Sequence, residues 1–163
     1  MRLLALDAST TAVGWSLFQD GEYLDSGVYI PKPSLNWRQR LWLISDWLND
    51  LLCEDTQIRA VAYEIASGNR GNMATHRKLG AVEWLTWAVV SERGPQWIEV
   101  NVQQVRAQSC NKTDEGIFNA RLYTGKALDG RYAGDEADAV GVGLAALANP
   151  RISAIESAAE VAK

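Results

Sequence analysis

The chain has 163 residues, 47% hydrophobic and 22% charged, with four prolines. This is one domain's length with enough apolar material for a core, which excludes a disordered chain, a collagen and a disulfide scaffold. The net charge of −4 argues by itself against a nucleic-acid partner, although Ile65 to Arg131 carry nine basic against six acidic residues.

Residues 2–7 read as a buried strand that ends at Asp7. Two more strands, 12–18 and 22–30, flank Gln19-Asp20-Gly21, whose Asp-Gly pair is hairpin chemistry. Pro31 and Pro33 close this three-stranded meander. Leu41, Ile44, Trp47, Leu48, Leu51 and Leu52 then recur at helical spacing, predicting an amphipathic helix over 35–53. Ile58 to Glu64 is a fourth strand that also ends on an acid. Past Gly68, Asn69 and Gly71, a second helix is expected over 73–92, stopped by Gly94-Pro95. A short strand over 97–100, helical stretches near 102–108 and 114–122, and a helix over 135–148 follow. A single domain is read over 1–149, with 150–163 a tail or weakly held helix. The order predicts a mixed α/β fold with a five-stranded sheet flanked by helices.

His76 is the single histidine, and Cys53 and Cys110 stand far apart with no CxxC pair. That argues against structural zinc and suits a reducing compartment. The N-terminus meets Asp7 before any signal-like apolar region develops, and no apolar run is long enough to span a membrane. A cytoplasmic or organellar protein with no membrane partner is expected. Of the seven tryptophans, Trp37, Trp42 and Trp47 fall on the first helix and Trp84 and Trp87 on the second. Most are expected in the core; Trp84 and Trp87 present enough apolar surface for a dimer contact, with base stacking ranked below packing.

The chemistry rests on the acids. In open α/β sheets, functional residues gather outside the carboxyl ends of strands. If the strands ending at Asp7 and Glu64 are parallel neighbours, their carboxylates lie side by side. Asp135 and Asp138 are spaced i, i+3 and share one face of the last helix. Four converging carboxylates cannot keep their full charge without cations. Oxygen donors select Mg²⁺ or Mn²⁺, and two ions about 4 Å apart would support phosphodiester hydrolysis. Each acid also has a structural role available. Asp7 could open an Asx turn, Glu64 could pair with Arg59 or Arg70, and Asp135 with Asp138 nearly makes a capping box. Arg70, Arg77 and Lys78 border the proposed site and would contact DNA phosphates. His76 is read as an exposed loop histidine, with proton transfer its alternative role.

These residues also carry a resemblance. Leu4-Ala5-Leu6-Asp7-Ala8-Ser9-Thr10-Thr11-Ala12-Val13-Gly14-Trp15-Ser16 resembles the opening motif of RuvC-type Holliday-junction resolvases, and Val61-Ala62-Tyr63-Glu64 resembles their second acidic strand. Arg77-Lys78-Leu79-Gly80 is similar to the start of their central helix, and Val100 to Arg106 to the segment ending in a basic residue. Asp135-Glu136-Ala137-Asp138-Ala139 is similar to their closing Asp-x-x-Asp-Ala helix, and the likeness spans about residues 2–148. It implies a ribonuclease H-like fold, a homodimer, and Mg²⁺-dependent cutting of four-way junctions by paired nicks that leave 5′-phosphate and 3′-hydroxyl ends. By that likeness Asp7, Glu64, Asp135 and Asp138 would hold two metal ions. Arg106 and Lys112 would contact or neutralise phosphate, Lys112 as part of the catalytic set. Ser67 stands where bacterial members carry an aromatic wedge, in a polar stretch, Ser67 to Asn72. A phage member of the family suits that divergence. The alternatives are a less selective branched-DNA nuclease, a non-catalytic DNA-structure binder, and a phosphate-binding domain of the actin/sugar-kinase type. The last requires two sizeable domains and a Gly-rich adenosine loop, and this sequence has neither.

Overall fold

A computed structural model describes residues 1–65, 72–108 and 113–161. The chain runs β1 (Arg2–Ala8), β2 (Val13–Gln19), β3 (Glu22–Tyr29), α1 (Trp37–Glu54), β4 (Ile58–Ile65), α2 (Met73–Arg93), β5 (Gln96–Asn101), α3 (Val102–Gln108), α4 (Thr113–Thr124), α5 (Ala133–Leu147) and α6 (Pro150–Val161). The strands form one five-stranded sheet in the order β3-β2-β1-β4-β5. β1–β2 and β2–β3 are antiparallel, while β1–β4 and β4–β5 are parallel.

The hairpin between β2 and β3 turns on Asp20 and Gly21, both at positive φ (53° and 84°). Left-handed geometry at both central positions is what a two-residue turn needs to match the twist of its strands. Asn36 caps α1 by accepting from the backbone N–H groups of Arg38 and Gln39, and the Gln39 side chain returns a bond to the Asn36 N–H. Asn72 caps α2 by accepting from Thr75.

Strand alternation sorts the core into two sides. Leu4 and Leu6 of β1, with Val61 and Tyr63 of β4, face α1 and α2 and pack with Ile44, Leu48, Val82 and Val90. Leu3 and Ala5, with Ala60 and Ala62, face the opposite way and pack with Val142, Ala145 and Ala146 of α5. The sheet is therefore covered on both faces, which accounts for its near-continuous apolar central strands.

Residues 150–161 form a helix, one of the two forms expected there, and its Ile152 is 2% exposed within the α5-side core. One expectation needs revision. The tryptophans, expected mostly inside, are not: none of the seven is fully buried, and Trp42, Trp84 and Trp87 are 68%, 65% and 45% exposed. On α2 the buried residues are Val82, Thr86, Val89 and Val90. At 100° per residue, Trp84 and Trp87 fall on the other side of that helix. Helical spacing identified an apolar helix but not which of its apolar faces the sheet would take.

Candidate active site

β1 and β4 are parallel neighbours paired in register through Leu6 and Tyr63. Asp7 and Glu64 are the next residue on each strand, so they stand abreast on strands about 4.8 Å apart. By the alternation above, both belong to the face covered by α5. Arg59, an alternative partner for Glu64, is exposed at the opposite end of β4, where the register with β1 shifts. The turn after β1 is closed by Ser9 rather than Asp7: the Ser9 Oγ accepts from the N–H groups of Thr11 and Ala12. Asp7 is thereby left to the end of the strand.

The second pair of acids arrives through an unusually close approach of a helix to a strand. Gly14 of β2 is paired with Asp7, and a Cβ built on Gly14 would lie 1.9 Å from the carbonyl oxygen of Asp135. No side chain fits there, so the first turn of α5 rests directly on the β2 backbone. Two residues further along β2, the Ser16 hydroxyl donates to the Ala139 carbonyl at 2.8 Å in the buried interior. Two further still, the Phe18 ring lies against Gly143. Two strand residues advance about 6.6 Å and four helical residues about 6 Å, so the steps stay matched. This three-rung seating sets Asp135 and Asp138 over the edge that carries Asp7.

The helix does not begin where the sequence suggested. Its N-cap is Tyr132, which makes no side-chain capping bond. Asp135 is the third helical residue, and Asp138 lies one turn further in. Ala133 and Leu128, both buried in one small core cluster, draw the helix start forward. The capping-box role for the two acids is thus not realised.

Electrostatics ties the four together. Burial holds the Asp7 carboxyl well above the usual carboxylate range, and the charges of Glu64, Asp138 and Asp135 raise it further. Asp138 is raised by burial and by Asp135, against an opposing pull from Arg106 in the last turn of α3. Asp135 is raised by burial, partly offset by a backbone hydrogen bond. The four acids therefore share one field, with Arg106 at its border on the side of Asp138. Among the described residues, no three His, Cys, Asp or Glu side chains already form a coordinating group.

Arg77 and Lys78 stand on the first turns of α2, exposed and half-buried. They belong to the layer opposite α5, where the chain leaves the carboxyl end of β4. His76 is also on that helix rather than in a loop. Arg70, Lys112, Ser67 and Cys110 lie outside the described residues. In the sequence Gly14 is only part of a motif, and nothing linear marks Glu136 and Lys126, which frame the site, because the strand that joins them, at Ser26, lies a hundred or more residues away.

Comparison with solved structures places the fold. Thermus thermophilus RuvC in complex with a Holliday junction substrate is 20% identical with a TM-score of 0.72, covering 89% of this chain and 91% of that one. Thermus thermophilus RuvC determined separately gives 0.69 at 20% identity, covering 89% and 92%. A yeast mitochondrial Holliday junction resolvase gives 0.62 at 12% identity, covering 89% and 77%. No protein-family model and no curated protein matches the chain. The shared fold is the ribonuclease H-like sheet of RuvC with its flanking helices.

Proposed function

We propose that this protein is a metal-dependent, structure-selective DNA endonuclease that resolves four-way junctions by paired nicks, working as a homodimer. The observation that carries the reading is the convergence of Glu64, Asp138 and Asp135 on the buried Asp7, whose carboxyl all three raise, at one edge of a ribonuclease H-like sheet. Three carboxylates gathered around a fourth, buried one would form a site for cations, and their all-oxygen chemistry suits Mg²⁺ or Mn²⁺. Asp7, Glu64, Asp135 and Asp138 would hold two such ions. When bound, they would supply an activated water and stabilise the leaving oxygen of a phosphodiester.

The protein's own groups do the rest. Carboxylates near the ends of β1 and β4 and on the first turns of α5 sit on regular elements, so the acids themselves need no loop to position them. Arg106 limits repulsion between Asp138 and an incoming phosphate. Arg77 and Lys78, with Arg70 and Lys112, would contact the DNA backbone; Lys112 is the family-like catalytic lysine. Ends carrying 5′-phosphate and 3′-hydroxyl follow from attack by water with the 3′ oxygen leaving.

Homodimerisation would answer the need for two symmetric nicks, one per subunit. The outward tryptophans of α2 support it, since such side chains are costly to leave in water and are favoured in interface cores. No helix among the described residues is long and apolar enough to cross a membrane. A less selective branched-DNA nuclease remains the second reading, favoured by Ser67 standing where an aromatic wedge would be.

The test is a labelled four-way junction beside a matched linear duplex, with and without Mg²⁺ or Mn²⁺, using Asp7→Asn as control. Paired nicks in the junction alone, lost in the variant, are expected. Equal cutting of both substrates would favour the less selective nuclease. Junction binding without cutting under either metal would overturn the catalytic reading in favour of a binding protein.

A further inference from the structure

The turn of α5 that carries Asp135 and Asp138 also carries a third acid, Glu136, and that acid is already engaged. Its side chain is 13% exposed and its Oε1 lies 3.0 Å from the Lys126 ammonium. The same oxygen accepts a 2.6 Å hydrogen bond from the Ser26 hydroxyl of β3. Ser26 is buried, and its hydroxyl also lies 2.8 Å from the Tyr23 hydroxyl. Lys126 reaches back to the same strand, donating to the Ser26 carbonyl and, at 3.3 Å, to the Asp25 carboxylate. The ammonium thus spends its donors on one strand and one helix, and belongs to neither. It comes from the segment joining α4 to α5.

A separate set of contacts explains why such a strap is needed. The contacts at Gly14, Ser16 and Phe18 all fall along the single strand β2, so they form one line of seating between helix and sheet. Rolling α5 about that line would shift Asp135 and Asp138 relative to Asp7, and a bond to another strand, off the line, opposes the roll. Glu136 is one residue from Asp135, hence about 100° around the helix. A bond from there to β3 resists such a roll better than one more bond along β2, because it acts off the line of seating.

We propose that Lys126 is a positioning residue for the acidic site: by clamping Glu136 to β3 it sets the rotation of α5, and with it the placing of Asp135 and Asp138 opposite Asp7. The inference rests on the reading of these acids as a cation site. It also assigns Glu136 a reason to stay out of the ligand set, since its carboxylate is committed to Lys126 and Ser26.

Charge alone and positioning predict opposite signs, which makes the claim testable. Removing a positive charge near a cation site strengthens cation binding by simple Coulomb attraction. Losing the clamp weakens it, by about tenfold if Lys126 acts as residues behind metal ligands usually do. Mn²⁺ binding to the full chain would be measured by calorimetry and by electron paramagnetic resonance for wild type, Lys126→Met, Lys126→Arg and Asp7→Asn, alongside thermal unfolding in chelator. The expected result is Mn²⁺ binding about tenfold weaker in Lys126→Met, near wild type in Lys126→Arg, with unfolding temperatures close together. Unchanged or tighter binding in Lys126→Met overturns the proposal. So does equal weakening in both lysine variants with a matching loss of unfolding temperature, which would make the clamp merely structural. Wild type with no Mn²⁺ affinity that Asp7→Asn removes would sink the clamp and the cation site together. Wild type that binds Mn²⁺ but cuts no junction would sink the nuclease reading and leave the clamp standing.

Discussion

The two faces of the sheet are covered in opposite ways. On one, α5 is built of small residues, and Gly14, Ser16 and Gly143 let helix and strand meet backbone to backbone. On the other, α1 and α2 bring large side chains, yet Trp42, Trp84 and Trp87 remain turned to solvent. Small residues give close approach and leave no slack, so the α5 face holds charged groups in fixed relation. Large residues give more apolar surface than one sheet can cover, so the α1/α2 face has apolar surface to spare for another molecule. Precision and stickiness are segregated onto two sides of one sheet.

The comparison breaks most decisively at the acids. Asp7→Asn should lower junction cleavage by roughly 10³-fold or more, the scale seen when a catalytic group is removed, read in single-turnover nicking. The same change should stabilise the metal-free fold. Asp7 is held above its ordinary value, so the folded protein binds more protons than the unfolded chain as pH rises past about 4. Wild-type stability in chelator should therefore fall as pH rises through that window, and Asp7→Asn should flatten the fall. Thermal melts across pH would check it; a wild-type stability that climbs with pH there would contradict the raised carboxyl.

Next comes the seat of α5. In Gly14→Ala the new methyl must push the Asp135 carbonyl away by more than an ångström, and a displacement of that size costs on the order of 10²-fold in rate. The accompanying destabilisation should be about 1–3 kcal/mol, measured by denaturant unfolding beside the nicking assay. A smaller effect is expected across the sheet. Trp84→Glu with Trp87→Glu should shift a dimer to monomer in sedimentation, weakening association by at least about 30-fold if both act as interface anchors. Cleavage per subunit-bound site should fall only as pairing is lost. Smallest of all, Trp42→Ala should change monomer stability by no more than about 0.5 kcal/mol, since its ring is mostly in water. A large effect there would show that the tryptophan face is structural after all.

Much of this was legible along the chain. The strands ending at Asp7 and Glu64, the Asp20-Gly21 hairpin and the helix after Met73 all follow from local periodicity and turn chemistry. These signals are local, because a strand's alternation and a hairpin's φ values are set by neighbours a few residues apart. The i, i+3 spacing of Asp135 and Asp138 likewise placed them on one face before any tertiary contact was known.

The rest was decided by pairing at a distance. That β1 lies beside β4 brings Asp7 to Glu64, and no residue near either acid announces it. The choice of Tyr132 over Asp135 as the start of α5 depends on Ala133 and Leu128 being buried together. The outward turn of Trp84 depends on which side of α2 the sheet accepts. The hold of Lys126 on Glu136 joins a loop, a helix and a strand. Sequence alone determined which residues could be strands, helices and acids. Only the packed sheet, where burial and charge act between residues far apart in the chain, brought Glu64, Asp135 and Asp138 into the field of Asp7.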